Sequence, residues 1–189
     1  DGLDGEPRLL IDPNTWAADG ATALDSWVPS PDGTKLLYSV QDGGSDWRIV
    51  RVLDVATGEQ IGGETRWVKF SRLDWVGEEG YLYSRFAEPE EGEDFQALNL
   101  NQQIYFHALG SDQAADELVF ATPDHPDRNH TAQVSTDGRW AILTSSTGTD
   151  SRYEIHAIDP GARETSGSTP VPPVTGSEHS WSMIESVGS

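Results

Sequence analysis

Residues 28–59 read VPSPDGTKLLYSVQDGGSDWRIVRVLDVATGE. Two apolar runs alternate here with clusters of Gly, Asp and Ser. In PDG, Asp32 can accept a hydrogen bond from a backbone amide two residues on, and Gly33 can take a positive φ without a Cβ clash. The run 35–40 that follows is apolar on both sides of its two-residue period. That suits a strand covered on both faces rather than a sheet with one wet face. DGGSD reverses the chain, WRIVRVLDV returns it and ATGE turns it again. Glycine and aspartate are spent on reversing the chain every eight to twelve residues.

The pattern comes back. Residues 133–164, QVSTDGRWAILTSSTGTDSRYEIHAIDPGARE, align with it without a gap at a shift of 105. Ser30, Asp32, Gly33, Gly43, Asp54 and Glu59 fall on Ser135, Asp137, Gly138, Gly148, Asp159 and Glu164, while Leu37, Val50 and Leu53 fall on Ile142, Ile155 and Ile158. A degenerate copy lies between them: FSRLDWVGEEGYLYSRF at 70–86, with QIYFHAL at 103–109 as its return strand. Gly33, Gly80 and Gly138 are spaced 47 and 58 residues apart, the range of one four-stranded propeller blade. A single blade cannot bury its own faces, so the unit must be repeated. The expected fold is all-β, a β-propeller.

Composition narrows the partners. The 189 residues suffice for one domain with a sizeable core. The net charge of −20 repels phosphate backbones and anionic lipid, so neither nucleic acid nor membrane is expected as a partner. No apolar run approaches the ~20 residues of a membrane-spanning helix. The absence of cysteine leaves cytoplasmic and periplasmic settings equally open. The opening DGLDGEPRLL has neither the basic nor the apolar region of a signal peptide, and its lack of an initiator Met is expected of a mature or excised chain. The best helical candidate is SDQAADELVF at 111–120, and its end reads as strand.

The chemistry-bearing residues give no catalytic site. The nucleophile elbow G-x-S-x-G is absent. His107 and His156 lie in expected strands with structural or surface roles. His125 and His130 sit in PDHPDRNH, whose spacing fits no metal motif and whose prolines read as a loop, and His179 has no visible partner. Neither a metal nor a cofactor is expected. The segment 87–102 carries five carboxylates, Glu88, Glu90, Glu91, Glu93 and Asp94, and reads as an exposed acidic hairpin tip.

Across residues 9–159 the chain resembles the prolyl oligopeptidase family of serine peptidases. The resemblance is carried, in order, by LLIDPNTWAADGATALDSWVPSPDGTKLLYSVQDGGSDWRIVRVLDVATGE, RWVKFSRLDW, YLYSRF, LNQQIYFHALG and FATPDHPD. It implies an α/β-hydrolase peptidase domain with a Ser-Asp-His triad, covered by a seven-bladed propeller that restricts entry to short peptides cut after proline. The chain matches the first three to four four-stranded blades. Residues 1–14 then form an entry segment from the peptidase part, and 15–189 a partial propeller. Its blades run at about 15–65, 66–122 and 123–175, with a further blade starting at 176–189. The implied partners are the peptidase domain of the same polypeptide and short proline-containing peptides. By motif match, Phe70 of WVKFS lines the peptide pocket, the alternative being a blade-core aromatic. Thr149 matches a second pocket position, and Ser146 falls where some members carry a substrate-contacting Arg. Trp47 and Trp67 are expected to be packing residues. Two other readings stay open on the residues alone: a stand-alone propeller binding protein partners, and a carbohydrate-active propeller.

Overall fold

The structure is a computed structural model that describes residues 5–16, 22–41, 43, 45–89, 99–148, 150 and 152–161. Strands β1 (Ala23–Pro29), β2 (Lys35–Gln41), β3 (Arg48–Asp54) and β4 (Gln60–Val68) form one antiparallel meander. A second follows from β5 (Asp74–Val76), β6 (Gly80–Arg85), β7 (Gln103–Ala108) and β8 (Glu117–Phe120). A third contains β9 (Arg128–Val134), β10 (Ala141–Thr147) and β11 (Tyr153–Ile158). The first two meet through the bridge of Val68 with Arg85.

The internal repeat reappears as hydrogen-bond geometry. Ser30 Oγ donates to Asp32 Oδ1 at 2.6 Å and accepts from the Lys35 amide at 3.0 Å. One repeat later, Ser135 Oγ donates to Asp137 Oδ1 at 2.6 Å and accepts from the Trp140 amide at 3.0 Å. The glycines that close these turns have φ of 71° at Gly33 and 72° at Gly138, the left-handed region where a Cβ would be strained. The Ser30 hydroxyl, followed by the Thr34 amide, holds the Asp32 carboxyl well below the usual carboxylate range. Ser135, then the Arg139 amide, lowers Asp137 in the same way. Strand register repeats too: Pro29 faces Leu36 and Leu36 faces Leu53, as Val134 faces Ala141 and Ala141 faces Ile158.

The third turn glycine has a different reason to be glycine. A Cβ on Gly80 would lie 2.1 Å from the His107 carbonyl oxygen and 2.7 Å from the Phe106 ring. Close approach of β7, rather than a left-handed turn, fixes the residue there.

Packing follows from the two-residue period. Leu37 points to one face of the first blade and joins Val50, Val52, Trp75, Tyr81 and Tyr83 in the core between blades one and two. Tyr38 and Val40 point the other way and are packed by Leu10, Ile11 and Trp16 of the entry segment. Trp16 stacks on Tyr38 with ring centroids 6.3 Å apart. The same alternation on β6 sends Leu82 to a second core with Ile104, Phe106, Ala132 and Leu143, between blades two and three. Fully burying one such Leu is worth about 1.5–3 kcal/mol.

Polar contacts pin the blades at fixed points. The 111–120 segment forms a 3-10 turn at Gln113–Ala115 and then β8, so only its end is strand, as the sequence suggested. The Gln113 side chain mimics a strand neighbour: its Oε1 accepts from the Arg66 amide at 2.9 Å and its Nε2 donates to the Arg66 carbonyl at 3.0 Å. Beside it the Asp116 side chain is fully buried. It accepts from Tyr83 Oη at 2.5 Å, and its other oxygen lies 2.7 Å from His107 Nδ1. Burial, and then Asp116, hold the Tyr83 hydroxyl in its protonated form.

One expectation changes. His130 does not lie in a loop; β9 starts at Arg128, and its alternation turns His130 and Ala132 into the interface with blade two, where both are buried. The prolines and aspartates of PDHPDRNH end at the turn before the strand.

Candidate functional site

The described blades share one rim. β4 and β6 end there and β7 begins, as the pairing of Val68 with Arg85 and of Arg85 with Gln103 shows. On blade three the same rim carries the start of β9, the end of β10 and the start of β11, since Arg128 faces Thr147 and Ser146 faces Tyr153.

Phe70 stands in the connection from β4 to β5. Its φ is 54° and its side chain is 42 % exposed, so the ring is not a blade-core aromatic. Trp67, three residues earlier, also has a left-handed φ of 62°. The Lys69 ammonium lies 5.0 Å from the Trp47 ring centroid and 5.4 Å from that of Phe70, with Asp46 at 3.7 Å. Cations over aromatic faces are held by the ring quadrupole, more strongly as water is excluded. Trp47 packs edge-on against Trp67 and Phe86, with centroids at 5.8 and 6.1 Å. Both tryptophans are therefore packing residues, and Trp47 presents its ring to the Lys69 ammonium.

Ser146 lies on β10 and is half-buried. It lines a cavity of about 310 Å³ together with Arg128, Ser145, Thr147, Tyr153 and Glu154. Arg128 Nη1 donates to Glu154 Oε2 at 2.6 Å and holds that carboxyl below its ordinary value. Arg152, also on the lining, is paired with Asp150 at 2.7 Å. Two arginines thus stand beside Ser146, each paired with a carboxylate. Ser145 Oγ is buried without a hydrogen-bond partner among the described residues. Thr149 lies outside the described residues, as do Glu90, Glu91, Glu93 and Asp94 of the acidic segment, His179, and residues 176–189.

Phe70 and Ser146 are joined through side chains that sequence reasoning passed over. Gln102 Nε2 donates to the Lys69 carbonyl at 2.6 Å, and Gln102 Oε1 accepts from the His130 amide. His130 in turn faces Ser145 across the β9–β10 ladder. Ser84 Oγ donates to the His130 carbonyl at 2.6 Å. The His130 ring packs edge-on against Phe120 at 5.1 Å, and its Nδ1 is buried without a hydrogen-bond partner among the described residues. Burial, then the charges of Arg128 and His156, push this imidazole down to about 4. A polar residue buried by a distant strand carries no local pattern, so nothing marked Gln102 in advance, and the prolines beside His130 pointed to a loop. Among the described residues no group of three or more His, Asp or Glu could hold a metal ion.

Successive antiparallel meanders, packed face to face through alternating cores, are the architecture of β-propeller blades. A family model described as prolyl oligopeptidase, N-terminal beta-propeller domain, matches residues 1–189. The chain belongs to the prolyl oligopeptidase family and carries its N-terminal propeller region. Among its relatives is a prolyl endopeptidase of Elizabethkingia meningoseptica, 34 % identical over 146 residues, or 77 % of this chain and 21 % of the relative. Another is a prolyl endopeptidase of Elizabethkingia miricola, 30 % identical over 184 residues, or 97 % of this chain and 25 % of the relative. A solved structure from a study of two prolyl endopeptidases and their inter-domain dynamics matches at 49 % identity with a TM-score of 0.75, over 89 % of this chain and 22 % of the other. Prolyl oligopeptidase B of Galerina marginata, bound to a 35mer hydrolysis and macrocyclization substrate, matches at 28 % identity and a TM-score of 0.68, over 78 % and 22 %. The chain spans about a fifth to a quarter of the length of these relatives.

Proposed function

We propose that residues 1–189 are the non-catalytic opening part of a propeller that gates a serine peptidase active site, admitting short peptides for cleavage after proline. The catalytic domain is an α/β-hydrolase of the same polypeptide. Residues 1–14 lead in from it, and three blades of about 15–65, 66–122 and 123–175 follow, with a fourth begun at 176–189. The observation that carries the reading is the family match over the whole chain. The absence of an elbow serine from this sequence agrees with a part that admits substrate rather than cuts it. Within the propeller, Phe70, Ser146 and Thr149 are the residues proposed to meet the peptide. The exposed ring of Phe70 supports an apolar contact, and the half-buried Ser146, on the Arg128–Glu154 cavity, a polar one.

Two measurements test this. The purified 189-residue chain should show no turnover of a fluorogenic post-proline peptide, because no triad is available to it. Turnover that co-purifies with the chain would end the non-catalytic reading. In the full polypeptide, Phe70→Ala should raise KM for such a peptide by about tenfold, the loss of one aromatic contact. Its melting temperature should move little, since the ring is already 42 % exposed. A large stability loss with unchanged KM would assign the ring to packing.

A further inference from the structure

The three non-glycine residues with left-handed backbone among those described are Trp67, Phe70 and Asn101, at φ of 62°, 54° and 60°. Such backbone persists in bulky residues only where the surroundings over-determine it, and it gathers at sites where a side chain must be aimed. Here all three flank one hydrogen bond, from Gln102 Nε2 to the carbonyl of Lys69. Gln102 is 1 % exposed and spends its acceptor on the His130 amide, so one buried side chain ties the 67–70 connection to the first strand of blade three. A second tie runs in parallel: the Ser84 amide donates to Ser71 Oγ at 2.8 Å, and Ser84 Oγ donates to the His130 carbonyl. From the other side, the Lys69 ammonium, on a side chain only 12 % exposed, sits against both the Trp47 and Phe70 rings.

The ring beside these contacts is nonetheless left 42 % exposed. We propose that Gln102 and Lys69 are positioning residues: Gln102 fixes the backbone of the 67–70 connection, and Lys69 fixes the face of the Phe70 ring that meets an apolar residue of the peptide. The proposal rests on the reading that Phe70 contacts peptide. Only a side chain with one donor and one acceptor at this length serves position 102. Methionine offers neither, and a glutamate would turn a carboxylate oxygen toward the Lys69 carbonyl.

The test is a double-mutant cycle in the full polypeptide, read as KM and kcat on a short fluorogenic proline peptide with a bulky apolar residue upstream of the proline. Gln102→Met should raise KM by about tenfold with little change in kcat, and should add less than about twofold once Phe70 is already alanine. Lys69→Met should behave in the same way, and Lys69→Arg should restore the KM. Should Gln102→Met fail to fold, the Lys69 cycle decides alone. An equal rise in KM with and without the Phe70 ring overturns the proposal, as does a stability loss with unchanged KM. An unchanged KM in Phe70→Ala alone overturns the peptide-contact reading, and this proposal with it.

Discussion

Asp116→Ala is expected to destabilise the protein by about 2–4 kcal/mol, the cost of leaving buried hydrogen-bonding groups unsatisfied. For a chain of this size that lowers the melting temperature by roughly 10 °C. The carboxylate is fully buried and serves two groups from two strands, Tyr83 Oη on β6 and His107 Nδ1 on β7. Its removal takes the acceptor from the Tyr83 hydroxyl proton and the partner from His107 Nδ1. The damage should spread to blade one, because Gln113 Nε2 also donates to Tyr83 Oη at 3.1 Å while pairing with the Arg66 backbone. Asp116→Asn keeps the shape and an acceptor for the Tyr83 hydroxyl, and should cost less. Equal melting temperatures for Asp116→Ala and the unaltered protein would show that the network contributes nothing net.

Acid should weaken the interface between blades two and three before it reaches the carboxylates. The His130 imidazole is pushed down to about 4 by burial, by Arg128 and by His156, from a starting value of 6.5. A histidine with a depressed folded value is neutral in the fold and takes up its proton more readily when unfolded. The stability it contributes is therefore whole above pH 6.5 and drains away as pH falls toward 4. The difference corresponds to at most about 3 kcal/mol. Arg128, Glu154 and His156 are the charged or titratable groups around it; Glu154 is paired with Arg128 and has a pKa lowered from 4.5, so its own contribution is lost only as pH falls below about 4.5, at the acid end of this window. Thermal melts between pH 7 and pH 4 should fall steadily in the unaltered protein and more shallowly in His130→Gln. Parallel curves for the two would remove His130 from the account.

The turns were legible from residue type alone. Ser-x-Asp-Gly specifies its own hydrogen bonds, so Ser30 and Ser135 could be matched before any strand was placed, and the register followed from the match. The two-sided run at 35–40 announced a covered strand, and Leu37 and Tyr38 do face opposite cores. Gly80 was rightly marked as special, but the reason lay in β7, far along the chain. Gln102 was passed over, and His130 was read as a loop residue, for the same kind of cause. Their burial depends on partners some 28 to 33 residues away, and a polar letter in the sequence does not say whether water or a distant amide will satisfy it. Phe70 carried a family expectation of peptide contact, whereas its left-handed backbone has no signature in a phenylalanine.

The self-contained turns also have a meaning in time. The bonds that close each Ser-x-Asp-Gly turn span at most five residues, from Ser30 to Lys35 and from Ser135 to Trp140. Closing a chain segment of about ten residues takes on the order of 10–100 ns, and a hairpin forms within about 1–10 μs. The core between blades one and two must wait for Leu37 to find Tyr81 and Tyr83, more than forty residues away. Each hairpin can thus be set before its blade has a neighbour, and the sheets meet as preformed pieces. During that interval their apolar faces are open to water, and the charge of −20 holds one unfinished chain away from the next.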